Sequence, residues 1–160
     1  MPELFRLVKA RHADQAFDGE GARLSGGRWN SRGVALIYTA DSIALAALEL
    51  LVHLHSHEVL NSYRLYRIDI PDEDLLALDD RDLPRDWRND PPPSSTAQVG
   101  DGWVAAGASL ALAVPSAIVP SQHNVLVNPA HAGFAQAIES VREEPFLFDR
   151  RLLKNNPGKA

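Results

Sequence analysis

One carboxylate interrupts an almost continuous hydrocarbon stretch: in DSIALAALELLVHLHSH (41–57), Glu49 follows Leu48 and precedes Leu50, Leu51 and Val52. Counting by threes and fours from Ser42 puts Ala46, Glu49, His53 and Ser56 on one narrow helical stripe. Leu45, Leu48, Leu51, Val52 and Leu54 fill most of the remaining circumference. A core helix with one wet edge fits this pattern, and Glu49–His53 is then an i,i+4 pair contributing about 0.2–0.5 kcal/mol. A stripe lining a cleft fits it equally. There the neighbouring hydrocarbon partly desolvates the carboxylate and strengthens its interaction with a bound cation. Periodicity alone leaves both readings open.

A second group of chemically able residues lies in SGGRWNSRG (25–33). Gly26 and Gly27 let the backbone approach a ligand closely, and Arg28 offers a planar fork suited to phosphate or carboxylate. Trp29 adds an aromatic wall and Asn30 a polar contact; an ordinary turn with solvated arginines is the simpler alternative. A third group, in VPSAIVPSQHNVLVNPAH, holds Ser116, Ser121, His123, Asn124, Asn128 and His131. Site residues gather at strand ends, although turn chemistry accounts for several of these equally well.

Several chemistries are disfavoured. GEGARL departs from G-x-G-x-x-G at its last glycine and follows no strand, and the chain has no P-loop. GASLA (107–111) ends in Ala111 where a nucleophile elbow needs glycine, and its helix precedes the serine instead of following it. His53, His55 and His57, spaced by two on a helix, splay to different sides, so no metal site is expected.

The elements that must position these groups alternate irregularly. LFRLV (4–8) reads as a first strand, followed by the basic KARH. Phe17 to Gly33 is rich in Gly, Ser, Asn and Arg and reads as a long loop. VALIYTA (34–40) has the content of a short buried strand, after which Asp41 or Ser42 caps the Glu49 helix. YRLYRIDIP (63–71) is a strand ended by Pro71. The charged, proline-rich segment 78–95 reads as a surface excursion with a turn of helix near Trp87. A capped helix over 95–111 is weakened by Gly100, Gly102 and Gly107. LALAVPSAIV (110–119) is a strand interrupted at Pro115, which predicts an edge or a bulge. NVLVNP adds a strand, AGFAQAIESVR a short helix, and PFLFDRRLL a last strand. No internal repeat and no regular βαβ alternation is present. The expected class is α+β: a compact single domain spanning 1–160, with a small, mostly antiparallel sheet flanked by helices.

Composition narrows the setting. The 160 residues are 45 % hydrophobic and 23 % charged, the balance of an ordinary globular domain large enough to bury a core. No apolar run reaches the roughly 18 residues of a membrane span, and the start, with Glu3, Arg6 and Lys9, is unlike a signal peptide. The absence of cysteine removes disulfides and thiolate metal sites and fits a reducing cytoplasm. A net charge of −5 argues against a nucleic-acid platform.

Taken together, FRLV and GEGARLSGGRWNSRGVALIYTADSIALAALELLVHL resemble the RES-domain family, the toxin halves of bacterial Xre–RES toxin–antitoxin pairs. VPSAIVPSQHNVLVNP and FLFDRRLL resemble its later blocks. The arginine, glutamate and serine that name the family fall on Arg28, Glu49 and Ser116, with Ser121 as the competing serine, and Tyr38 matches the family's strand-end tyrosine. The resemblance implies a fold related to ADP-ribosyltransferases, with NAD+ as substrate and no prosthetic group. It implies loss of NAD+ by hydrolysis, or by phosphorolysis with inorganic phosphate as co-substrate; transfer of ADP-ribose to a protein is the alternative. Nicotinamide leaves a cationic glycosidic bond as a neutral molecule, so no acid is needed and one carboxylate can replace the usual glycosidase pair.

On that basis Glu49 is expected to stabilise the oxocarbenium-like ribose. Arg28 would grip the pyrophosphate and Tyr38 would stack on the nicotinamide or ribose ring. Ser116 would hydrogen-bond the ribose or help place the nucleophile, and Gly27, Trp29 and Asn30 would complete the pocket. The implied partner is an Xre-like helix-turn-helix antitoxin that blocks the cleft, with a homodimer inside that complex. No direct nucleic-acid or membrane binding is expected, and the location is cytoplasmic. A non-enzymatic domain that uses the basic loop to hold an acidic peptide is the rival from another class.

Overall fold

Strong β-formers and alternating burial build one seven-stranded sheet. The computed structural model describes residues 1–54 and 62–152. Its strands are β1 (Glu3–Lys9), β2 (Ile37–Ala40), β3 (Tyr63–Asp69), β4 (Leu75–Ala77), β5 (Ala111–Pro115), β6 (His123–Val127) and β7 (Arg142–Glu144). The order across the sheet is β4-β5-β6-β2-β1-β3-β7. Among the described residues only β4–β5 pairs in parallel, joined through helix α3 (Ser94–Ala106); the other pairings are antiparallel. This is the α+β architecture expected.

Because side chains alternate across a strand, the two faces are distinct. One face buries Leu4, Val8, Ile37, Ile68, Val125 and Val127 against Ala16, Phe17 and Ala137. The opposite face carries two separate clusters. Helix α2 (Ile43–His53) covers Leu7, Ala40 and Leu65 with Leu45 and Ala46. Helix α3 covers Leu112, Val114 and Leu126 through Trp103, joined by Trp29 and Leu36. The sheet's middle is weakly joined: β1 pairs with β3 over seven positions but with β2 only at Phe5↔Ala40. Two helices on one face and a sheet that parts between them leave room for a cleft.

The N-terminus of α2 is set by Ser42, whose Oγ accepts the Leu45 N–H at 3.1 Å, as its sequence position predicts. The stripe expected to continue through Ser56, and His55 and His57, lie outside the described residues. Other expectations need correction. The 17–33 loop contains a short helix, α1 (Glu20–Ser25), begun where Asp18 Oδ1 accepts the Glu20 N–H and braced by the Glu20–Arg23 ion pair. Strand β5 is interior, paired on both sides, and Pro115 is its last residue rather than an edge or bulge. Its missing N–H therefore interrupts no ladder. The last strand is β7, before the expected one. Phe146 and Phe148 instead tuck edge-to-face, 4.9 Å apart, beside the α2 cluster, and Arg150–Leu152 is a 3-10 turn. Strand β4, three residues with only Leu75 part-buried, was too short to register as a period.

Of the glycines predicted to weaken α3, Gly107 ends the helix in the left-handed region, φ 63°. Gly100 has a different necessity: the Trp29 carbonyl lies against it, and a Cβ would overlap that backbone atom. Gly102, by contrast, has nothing within 4 Å of where a Cβ would go. Gly100→Ala should therefore destabilise by about 1–3 kcal/mol or more, whereas Gly102→Ala should stabilise by roughly 0.5–1 kcal/mol. Urea unfolding followed by circular dichroism checks both; a harmless Gly100→Ala would refute the close docking of the Trp29 loop on α3.

Candidate functional site

The cleft of about 750 Å³ on the two-helix face is lined by residues from each side of the parted sheet. Arg28, Trp29, Tyr38 and Glu49 all face it, together with Gly26, Gly27, His53 and Asn124. The stripe Ala46, Glu49 and His53 thus looks into the cleft, flanked there by Leu50 and Val52, while Ile43 and Leu48 are exposed apolar residues of α2 away from it. The wet-edge reading of Glu49 gives way to the cleft.

Glu49 is held by a residue far away in sequence. The Ser116 hydroxyl donates to Glu49 Oε1 at 2.8 Å and accepts the N–H groups of Ile118 and Val119, each at 3.1 Å. Ser116 N–H in turn donates to the Gln122 carbonyl at 2.9 Å, closing the β5–β6 turn. The hydroxyl is completely committed and the residue fully buried. Ser116 therefore orients Glu49 and is not among the residues that line the cleft. Ser121 is exposed and makes no comparable bond, so Ser116 is the serine joined to the glutamate.

The glycine loop is built around Tyr38. Its hydroxyl accepts the Trp29 N–H at 3.0 Å and donates to Asn30 Oδ1 at 2.6 Å. Burial pushes the phenol well above its usual range, so it stays protonated and its ring is what it offers the cleft. Asn30 gives its amide to the carbonyls of Ala22, Ser31 and Val34. It is 1 % exposed and not on the cleft wall, and it positions Tyr38. Gly27 is needed for this packing: a Cβ there would stand 2.6 Å from the Tyr38 hydroxyl.

Arg28 is anchored. One of its terminal nitrogens, Nη1, donates to the carbonyls of Trp87 and Asn89, both at 2.8 Å. Those carbonyls belong to the 78–95 segment, read from sequence as a surface excursion. It runs over the cleft, where Arg88 Nε donates to the Ala117 carbonyl at 2.7 Å, and Arg88, Asp90 and Pro92 line the wall. The region around Trp87 is a pair of turns. Nε and Nη2 of Arg28 have no hydrogen-bond partner among the described residues.

Two lining residues carried weak signals or none. Arg6 sits on β1 and reads in sequence as one charge in a strand; its place in the gap between β1 and β2 depends on a ladder length that no local pattern encodes. Asn124 stood among the strand-end polar residues and does line the cleft. His123, by contrast, lies beside Asp41; Asn128 donates to the Val104 carbonyl and accepts the Ala130 N–H, and His131 accepts the Gly133 N–H. No group of three or more metal-ligating side chains gathers among the described residues, and no helix there is long and apolar enough to cross a membrane.

An α+β fold with a glutamate, an arginine and a tyrosine around one cleft defines the class, and sequence comparison gives it a family. The RES domain matches residues 3–149, and the chain belongs to that family. It is 42 % identical over 149 residues to "Toxin Res" of Yersinia enterocolitica, covering 93 % of this chain and 98 % of the relative. It is 40 % identical over 151 residues to "Toxin Res" of Photorhabdus laumondii, covering 94 % and 97 %. It is also 40 % identical over 140 residues to "Prs ADP-ribosylating toxin" of a Sphingobium species, covering 85 % and 86 %.

The serine assignment can be checked by stability. Ser116→Ala strips Glu49 of its donor and leaves two N–H groups without an acceptor, which should cost about 1–3 kcal/mol in urea unfolding. The exposed Ser121→Ala should stay within about 0.5 kcal/mol of wild type.

Proposed function

We propose that this RES-domain protein is the toxin of a toxin–antitoxin pair and acts by cleaving the nicotinamide–ribose bond of NAD+. The observation that carries the reading is the Ser116–Glu49 hydrogen bond. It leaves Glu49 Oε2 without a protein partner among the described residues, in a cleft shared with Arg28 and Tyr38. In the proposed reaction the C–N glycosidic bond breaks with its electron pair departing on neutral nicotinamide. The ribose carbon develops positive charge, and water or phosphate then attacks it and loses a proton. Glu49 stabilises that charge electrostatically and can accept a hydrogen bond from a ribose hydroxyl or the nucleophile. The free edge of Arg28 suits a phosphate oxygen, and the ring of Tyr38 gives an aromatic surface for the nicotinamide or ribose. No metal or prosthetic group is required by this scheme.

A second reading is favoured by one finding, the name of the Sphingobium relative as an ADP-ribosylating toxin. In it a protein side chain replaces water or phosphate as acceptor. A cytoplasmic helix-turn-helix antitoxin that covers the cleft is the partner proposed for either reading.

The test follows NAD+ by chromatography with purified protein. Glu49→Gln should lower NAD+ loss by at least about 100-fold, and Ser116→Ala should lower it less. Unchanged loss in Glu49→Gln would overturn the mechanism. Labelled NAD+ with and without phosphate or cell lysate then identifies the acceptor. Free ADP-ribose means water, a phosphorylated ADP-ribose means phosphate, and label retained on protein means transfer.

A further inference from the structure

Asn124 enters the cleft from the sheet itself. It is the second residue of β6, and side chains alternate across a strand. Leu126, two positions on, packs with Trp29, Leu112 and Val114 beneath α3, whereas Val125 and Val127 face the opposite core. Asn124 therefore lies on the two-helix face, where it lines the cleft. It is half-buried, and its side-chain amide has no hydrogen-bond partner among the described residues. Asn30 and Asn128, by contrast, each give their amide to backbone carbonyls. Among the described residues, enclosed side-chain atoms without a partner occur only in Arg67 and Asp69, so the Asn124 amide is open to the cavity.

The neighbours of Asn124 show why its amide is free. The register runs in one row from β5 to β1 through Val114, Asn124, Ala40 and Phe5. The other three are hydrocarbon, and an amide among them costs free energy unless it finds a partner. Tyr38, two residues before Ala40 on β2, is the diagonal neighbour on the same face, a spacing of about 7–8 Å that a ring can bridge. On the β5 side, the Pro115↔His123 pair and the Ser116 N–H to the Gln122 carbonyl bring the Ser116–Glu49 pair alongside. Asn124 thus sits between the Tyr38 ring and the Glu49 carboxylate. The strand end does not need it. Asp41 closes that end, donating its N–H to the His123 carbonyl and accepting the His123 N–H on its carboxylate.

We infer that Asn124 recognises the carboxamide of the departing base and makes the cleft select nicotinamide over nicotinate dinucleotides. This rests on the reading of the cleft as a NAD+ site. A carboxamide presents one carbonyl acceptor and one NH2 donor, and the asparagine side chain presents the same two groups, so the pair can bond reciprocally in one plane. Phe5, Tyr38 and Ala40, which line the cleft beside Asn124, give the flat pyridine ring an apolar and aromatic surround. Nicotinate carries a carboxylate where nicotinamide carries its amide. It has no N–H for Asn124 Oδ1, and it brings a second negative charge toward Glu49. Nicotinate is therefore disfavoured twice, and only one part of that discrimination belongs to Asn124.

The experiment measures kcat/KM for cleavage of NAD+ and of its nicotinic acid analogue by wild type, Asn124→Leu and Asn124→Asp. Calorimetric binding of free nicotinamide runs alongside. Wild type should prefer NAD+ by at least about 100-fold. In Asn124→Leu, kcat/KM for NAD+ should fall about 10-fold while that for the analogue changes less than about twofold, so the preference shrinks. Asn124→Asp keeps an acceptor for the carboxamide NH2 and repels a carboxylate, so it should retain most of the preference. Equal losses with both dinucleotides in Asn124→Leu, or a wild type without preference for NAD+, would overturn the inference and leave Asn124 a solvated strand residue. If wild type cleaves neither dinucleotide, the NAD+ reading fails separately. The nicotinamide arm then decides the subsite: binding that Asn124→Leu loses keeps it, and binding that is absent or unchanged removes it. Should Asn124→Leu fail to fold, Asn124→Ser decides by the same ratio.

Discussion

A sheet whose two central strands share a single residue pair cannot be held together by its own ladder. Phe5↔Ala40 is the only register position between β1 and β2, so β4-β5-β6-β2 and β1-β3-β7 behave as two wings needing cross-ties. The cross-ties are side chains. Arg6 reaches from β1 to the Tyr38 carbonyl on β2, and the Ser116 hydroxyl reaches from the β5–β6 turn to Glu49 on the helix covering the other wing. Arg28 and Arg88 fasten the middle of the 78–95 segment over the opening. Buried polar groups must find partners, and here the partners lie across the gap. The residues that face the cleft are therefore the ones that keep it from closing or falling open.

The glycine loop solves a related packing problem. Tyr38 can present its ring to the cleft only if its hydroxyl is satisfied behind it, which Trp29 and Asn30 accomplish. For the loop to lie that close, Gly27 must leave space for the hydroxyl and Gly100 must leave space for the Trp29 carbonyl. Two glycines in different elements thus serve one tyrosine. Thr96 adds a third fastening by donating its hydroxyl to the Arg28 carbonyl at 2.6 Å. The loop is rigid structure in spite of its turn-like composition.

What could be read in the sequence follows the range of the forces involved. Local signals carried the strands β1, β2, β3 and β6, the Ser42 cap and the helical stripe, because periodicity and capping act within a few residues. Arg28, Tyr38 and Glu49 were named through their combined pattern, and the structure brings them to one cleft. The misreadings share another cause. Pro115 signalled an edge, yet a strand's last residue escapes the rule even in a sheet interior. That Asn30 and Ser116 turn inward is shown by their complete hydrogen-bond sets, which no local sequence signal encodes. The environment of Arg6 is created by a ladder that ends early, which no local pattern encodes. Long-range pairing, not composition, decides such cases.

The choice of serine to hold Glu49 has electrostatic content. An arginine or lysine in that place would fix the carboxylate too, but would cancel the charge it presents to the cleft. A neutral hydroxyl, itself pinned by two backbone N–H groups, fixes the direction of Oε1 and leaves the negative charge intact. Arg6 shows the same arrangement with opposite sign: a cation steered by two carbonyls that do not neutralise it. One anion and one cation, each oriented by neutral partners, belong to residues that line a common cavity, and no ion pair joins them among the described residues. Such a pair suits a ligand carrying positive charge at one end and negative charge at the other.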